Sequence, residues 1–230
     1  MAKYVALGDS YAAGQGAGGY LNDCLVSSNG YPAVLDAVTS TKISLLRDPS
    51  CSGATTGDVI ANQLSSLNKG TTLVTITAGA NDVGLAALLA ACAGGLTPTC
   101  QGAIQNALAA LPQVGSSVGT LIADVHQRAP RATIVVTGYV LPFSSDYPDT
   151  SLAAAVNYGV GLLDQQIAVA VAAQALAGMP VAYASVSFSG HQIGDADSWL
   201  NGDLSDPSTF MHPTAAGYEA YADAILTALN

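Results

Sequence analysis

The sequence predicts an α/β protein built on a parallel sheet, and three observations carry that expectation. Five short apolar runs rich in strand-forming residues, at 4–7, 43–46, 73–77, 133–137 and 181–185, alternate with longer stretches of helical period. Such alternation lets each intervening segment carry the chain back, so that successive strands run the same way. The first and third runs both stop at a glycine followed by polar groups, Gly8-Asp9-Ser10 and Gly79-Ala80-Asn81-Asp82. Ligands bind beyond the carboxyl ends of the strands in sheets of this kind, so these two turns are where chemistry is expected.

Taken in order, Tyr4, Val5, Ala6 and Leu7 have no helical period and end abruptly at Gly8. That is a buried strand feeding a tight turn. Gly14, Gly16 and Gly19 then match the letters of a dinucleotide-binding loop, which would imply an oxidoreductase. That pattern needs its last glycine inside a helix, however, and Tyr20-Leu21-Asn22-Asp23-Cys24 has no helical period. The segment is better read as a surface loop flanking the site. Residues 31–38 read as a helix with Pro32 in its first turn, followed by the second strand. Next comes a loop of small residues from Asp48 to Gly57, which leads into an expected helix over 58–67 and presents free backbone N–H groups at its start.

Between 101 and 128, Ile104, Leu108, Leu111, Val118, Leu121 and Val125 keep a helical period, giving a long amphipathic helix with Pro112 as a point of kinking. A further helix is expected over 152–177, loosened by Gly159 and Gly161. Residues 186–210 are irregular and hold the single tryptophan, Trp199. Unstructured stretches of that length in a compact domain are usually functional. This one runs into His212-Pro213, after which Tyr218, Tyr221, Ala222, Ile225 and Leu229 mark a last amphipathic helix.

With 230 residues and no break in composition, one domain spanning 1–230 is expected. Six Lys plus Arg against sixteen Asp plus Glu give a net charge of −10, spread along the chain. Such a surface repels phosphate backbones and anionic membranes, so nucleic acid is not an expected partner. No uninterrupted apolar run approaches the ~20 residues of a membrane span. Transient contact with lipid aggregates and a monomeric state are the expectations.

The four cysteines permit three pairings, of which Cys24–Cys51 with Cys92–Cys100 is the one expected. The two closures would contribute roughly 3.6 and 2.6 kcal/mol on a chain-entropy account. Zinc has no Cys-x-x-Cys spacing or adjacent histidine to hold it. Asp195, Asp197, Asp203 and Asp206 match no standard calcium loop. No metal or cofactor is therefore expected. Disulfides imply an oxidising compartment, and with no leader ahead of the strand at Lys3 the chain reads as a mature secreted form.

Ser10, the loop at Gly53, Asn81 and His212 together make a complete acyl-transfer set. A serine hydroxyl needs a base to take its proton, and histidine has the pKa for that near neutrality. The tetrahedral intermediate needs N–H donors aimed at its oxyanion, and the turns at Ser10 and Gly53 with the Asn81 amide offer three. Two other histidines compete as base. His126, beside Gln127 and Arg128, reads as a charge at a helix C-terminus. His191 lies in the same irregular stretch as His212, and spacing alone does not separate them.

The chain resembles the SGNH or GDSL serine hydrolases, close to bacterial secreted lipases and esterases. Four blocks carry the resemblance: Gly8-Asp9-Ser10-Tyr11 with Gly14, then Gly53, then Gly79-x-Asn81-Asp82, and finally His212-Pro213. It implies a flavodoxin-like three-layer α/β/α fold with a five-stranded parallel sheet, Ser10 as nucleophile, and Ser10, Gly53 and Asn81 as oxyanion donors. It also implies His212 as base and an ester substrate, small or lipid, with an A1-type phospholipase among the activities. The alternatives are a carbohydrate O-deacetylase of the same fold and a non-catalytic binding module. Many members carry an Asp three residues before the histidine, and here that position is Thr209. A Ser10–His212 dyad is therefore expected, with the backbone carbonyl of Thr209 orienting the imidazole.

Overall fold

The structure is a computed structural model that describes residues 1–39 and 41–230. Five parallel strands, β1 (Ala2–Gly8), β2 (Ile43–Arg47), β3 (Leu73–Thr77), β4 (Thr133–Thr137) and β5 (Val181–Ala184), form one sheet in the order β2-β1-β3-β4-β5. The helices are α1 (Ser10–Ala13), α2 (Tyr31–Val38), α3 (Thr56–Asp58), α4 (Leu85–Cys92), α5 (Pro98–Arg128), α6 (Thr150–Leu176) and α7 (Ala215–Ala228). Helices α5 and α6 pack on each other on one side of the sheet, with α4 against α5. Helix α2 packs on α7, and the pair covers the other side of the sheet. The result is three layers with the strand order reversing at β1 and β3, so the carboxyl ends of these two strands border a crevice.

Both faces of the central strands are covered, which is why they read as unbroken apolar runs. All five residues of β3 are buried, as are Tyr4 to Gly8 of β1. The polar atoms taken inside are paired with one another. Tyr4 Oη lies 2.7 Å from Thr75 Oγ1, Tyr31 Oη 3.0 Å from Thr77 Oγ1, and Thr77 Oγ1 2.6 Å from Thr137 Oγ1. An unpaired hydroxyl there would cost about 1–3 kcal/mol, so this seam fixes which threonines face which.

By length and composition alone, α5 and α6 are each long and apolar enough to cross a membrane. Their apolarity comes from Ala, Val and Leu interspersed with Gln, Ser and Asn, which is why no single run stands out in the sequence. In this fold α5 turns Val118, Leu121, Ile122 and Val125 into the core. Pro112 stands within α5 without ending it.

Two regions differ from the sequence expectation. Instead of one helix over 58–67, the chain makes the short turn α3, a π-helical turn (Val59–Gln63) and a 3₁₀ turn (Leu64–Ser66). The wider turn brings Gln63 inward, where its side-chain amide bonds both the N–H and the C=O of Gly8, each at 2.8 Å. Helix α4 has no counterpart in the sequence reading, because Leu-Ala-Ala-Leu-Leu-Ala-Ala-Cys has no polar face to give it a period. It is joined to the first turn of α5 through Cys92–Cys100, while Cys24–Cys51 ties the loop after β1 to the loop after β2.

Candidate active site

Strand β1 ends at Gly8, where φ is +138° and a side chain would run into the Thr77 carbonyl. Only glycine lets the chain turn this tightly against β3. Asp9 then caps α1, its Oδ1 accepting from Tyr11 N–H at 3.0 Å. Ser10 is therefore the first residue of a helical turn, and its N–H has no acceptor within that helix. Asp9 itself is buried, and the loss of water pushes its carboxyl up to about 7 against the opposing bonds from Tyr139 and Tyr11.

The histidine comes from the far end of the chain. His212 Nε2 sits 2.9 Å from Ser10 Oγ. Its turn is pinned at several points: Tyr11 Oη donates to the Met211 carbonyl at 2.6 Å, and Met211 N–H to the Asn201 carbonyl at 2.8 Å. Asn201 donates to the His212 carbonyl from both its backbone and its side-chain nitrogen, each at 2.9 Å. Met211 is held with φ at +63°, a conformation costing an ordinary residue roughly 1–2 kcal/mol, so these bonds do more than decorate the turn. Gly16 of the glycine loop lies against the same turn, where a side chain would meet the Pro213 carbonyl and His212 Cβ. That close approach accounts for a glycine whose spacing imitates a dinucleotide loop.

The orienting group is corrected by the structure. His212 Nδ1 bonds the carbonyl of Phe210 at 3.1 Å, not that of Thr209. The Thr209 carbonyl is taken by the backbone N–H of His212 at 2.8 Å, and its pull on the imidazole is second to that of Phe210. Met211, left-handed between Phe210 and His212, turns the Phe210 carbonyl toward Nδ1. No carboxylate is paired with His212 among the described residues. Asp206 instead binds its own turn, accepting from Thr209 Oγ1 at 2.7 Å and Ser208 Oγ at 2.5 Å. Asp203 does the same with Ser205, and Asp195 with Gln192 N–H. Burial pushes the His212 imidazole down to about 4 despite the carbonyls of Phe210 and Thr209, so it stands neutral at Ser10 above that pH.

Gly53 and Asn81 line the same groove as Ser10 and His212, with a cavity volume of about 410 Å³. Asn81 Nδ2 donates to the Ala54 carbonyl at 3.0 Å, which fixes the amide and leaves its second hydrogen free. Asp82 bonds Thr56 N–H at 3.0 Å and Thr56 Oγ1 at 2.5 Å, tying the Asn81 turn to the Gly53 loop. Beyond these polar groups the groove is walled by apolar side chains, among them Leu85, Leu89, Phe143, Val156 and Phe210. A second, more enclosed apolar cavity of about 110 Å³ lies against it and shares Leu85, Leu89, Val156, Phe210 and His212.

The other two histidines are elsewhere. His191 stacks on Trp199, and His126 is on α5 with its Nδ1 buried and without a partner. Among the described residues no group of three or more His, Cys, Asp or Glu is placed to hold a metal ion. Sequence reasoning missed Phe210, which acts through its carbonyl and so leaves no side-chain signal. It also missed the wall made by α4.

Comparison with known proteins agrees with this geometry. Residues 6–220 match the GDSL-like Lipase/Acylhydrolase family. The chain is 34% identical to a lipase from Streptomyces rimosus over 226 residues, 93% of this chain and 81% of the relative. It is 33% identical over the same shares to Lipase 1 from Streptomyces coelicolor. The solved extracellular lipase of Streptomyces rimosus superposes with a TM-score of 0.88 at 32% identity, covering 99% of this chain and 100% of that one. Phospholipase A1 from Streptomyces albidoflavus NA297 gives 0.90 at 31% identity, covering 99% of each chain. The chain belongs to the GDSL-like lipase and acylhydrolase family and is a carboxylic ester hydrolase.

Proposed function

We propose that Ser10 is the nucleophile and His212 its base in the hydrolysis of lipid esters. The observation that supports this most is the 2.9 Å approach of a neutral, half-buried imidazole to Ser10 Oγ at the head of an apolar groove. Ser10 Oγ attacks the ester carbonyl carbon while its proton passes to His212 Nε2. The carbonyl oxygen, now negative, accepts from the N–H groups of Ser10 and Gly53 and from Asn81 Nδ2. Collapse breaks the ester C–O bond, and the departing alkoxide takes the proton from His212. Water then attacks the acyl-enzyme with His212 as base, releasing the carboxylic acid and restoring Ser10.

In this reading the acyl chain lies along Leu85, Leu89, Val156 and Phe210, so esters of longer acids are the substrates. Likeness to a phospholipase A1 supports phospholipids among them. We further take residues 1–230 as one catalytic domain, secreted and monomeric, working at the edge of lipid aggregates.

A fluorophosphonate probe should label Ser10 in the native chain and nothing in Ser10→Ala, which should fold and lack ester turnover. Rates on p-nitrophenyl esters should rise from acetyl to medium chains. Labelling that persists in Ser10→Ala would remove the assignment. Activity confined to acetylated sugars would replace the lipid substrate by a carbohydrate one.

A further inference from the structure

Asp9 and Ala80 each precede a residue given a role above, Ser10 and Asn81, and one side chain joins them. Tyr139 follows β4 and reaches across the end of β3. Its Oη donates to Asp9 Oδ2 at 2.5 Å and accepts from Ala80 N–H at 3.1 Å. Both side chains are buried, with Asp9 1% and Tyr139 5% exposed. The tyrosine is itself fixed from two sides: its N–H donates to Asp164 Oδ1 at 2.7 Å, and its ring meets Tyr11 edge-on at 5.1 Å. Burial holds its hydroxyl well above the usual range, so it remains a protonated donor.

We propose that Tyr139 is a positioning residue for the reaction, setting the distance between the serine turn and the asparagine turn through the chain Asp9–Tyr139–Ala80. This rests on the reading of Ser10 as nucleophile and Asn81 as oxyanion donor. Nothing else in the hydrogen bonding of Tyr139 explains why a buried tyrosine should spend its only proton on the residue before Ser10 and its lone pair on the residue before Asn81. Attack requires Oγ and the Asn81 amide to meet one carbonyl at the same time, and misplacement by about 1 Å costs of order 10²-fold in rate. Substrate in its ground state makes most of its contacts with the apolar groove, which none of the three residues lines, and the face that Tyr139 turns to the adjoining apolar cavity is kept when only its hydroxyl is removed. The effect therefore falls on kcat and leaves KM alone.

Tyr139→Phe keeps the ring and removes only the bridging oxygen. The turns remain attached by Gln63 to Gly8 and by Asp9 N–H to the Thr77 carbonyl at 2.9 Å, so the variant has what it needs to fold. It should lower kcat about 10- to 100-fold with KM within twofold. Asp9→Asn keeps the Tyr11 cap through its amide oxygen but turns a donor NH2 toward Tyr139 Oη, which loses the acceptor of its proton, and should act in the same direction. The double variant should be no worse than the poorer single one, since both act on one chain. Tyr4→Phe, which removes an equally buried hydroxyl from the middle of β1, is the control and should lower the melting temperature while leaving kcat unchanged.

Fluorophosphonate labelling of the native chain separates the two layers of the argument. If native Ser10 is not labelled, the reading of the site fails and this inference with it. If it is labelled but Tyr139→Phe keeps its kcat within twofold, or loses only in KM, the positioning role alone is overturned. Additive losses in the double variant would overturn it too. Should Tyr139→Phe not stay folded at the assay temperature, Asp9→Asn decides the matter by the same split of kcat against KM.

Discussion

His191 and His212 lie 21 positions apart on the same irregular stretch of chain, and both present Nδ1 to a backbone carbonyl: Asp197 at 2.8 Å for the first, Phe210 at 3.1 Å for the second. Their surroundings part company at the other nitrogen. The His191 ring lies flat on Trp199, with centroids 3.7 Å apart and planes 7° from parallel, and the exposed carboxylate of Asp197 stands 3.3 Å from its Nδ1. His212 is tilted against Tyr11 and spends Nε2 on Ser10. A carbonyl at Nδ1 fixes a tautomer in either place. In the proposed mechanism, what makes one of them a base is its second partner, Ser10 Oγ at Nε2.

The comparison breaks most decisively at His212 itself. Removing the base from a serine–histidine pair costs of order 10⁴- to 10⁶-fold in kcat, and His212→Ala should fall in that range with its fold intact by circular dichroism. A loss under tenfold would move the role of base elsewhere, with His191 the first place to look.

How legible this contrast is in the sequence depends on what each part is made of. Residues 133–137 read as a strand and are one, and residues 31–38 read as a helix and are one, because burial on both faces or one face writes a period into the letters. Ser10 and Asn81 were legible because glycines and polar groups interrupt those periods at strand ends, whereas His212 was separated from His191 only by the resemblance to the hydrolase family. Phe210 was not legible, since any residue supplies a carbonyl, and only the left-handed Met211 decides which one faces the ring. Helix α4 was hidden by uniform apolarity. The break of the 58–67 helix into three kinds of turn was hidden because Gln63 gains its reason only from Gly8, 55 positions away.

The pH dependence sharpens the comparison at the next level of effect. An imidazolium cannot accept the Ser10 proton, so kcat/KM should follow the neutral fraction of His212. With the ring pushed down to about 4, activity should hold from neutral pH to about 5 and then fall tenfold per pH unit below 4, provided the chain stays folded. The same displacement has a cost in stability. Because the folded pKa lies below the ordinary 6.5, the unfolded chain binds the proton first and stability is lost as the pH drops from 6.5 towards 4. Asp9 and Asp164, pushed up to about 7 by burial, act in the opposite sense, their contribution being present at low pH and lost as it rises through 7. An activity limb near 7 in place of 4 would therefore report Asp9, and would mean that His212 is not the group titrating.

The smallest effect belongs to His191. His191→Phe retains a flat ring over Trp199 and removes the bond to the Asp197 carbonyl. Stacked aromatic pairs contribute about 0.5–1.5 kcal/mol beyond the area they bury, so most of the local stability should survive the change. The lost hydrogen bond is worth about 1 kcal/mol at a partly exposed site, which in a chain of this size lowers the melting temperature by roughly 2–4 °C. Catalysis should not notice. Trp199 does pass backbone bonds toward the His212 turn, since its carbonyl accepts from Thr214 N–H at 2.8 Å, but that bond needs the tryptophan main chain and not the histidine ring. Hence kcat/KM should stay within about twofold, the range of a distant change that alters no contact with the reacting atoms. A larger fall, with the melting temperature unchanged, would show that the ring stack holds the His212 turn in register and that the two histidines are less separate than their surroundings make them look.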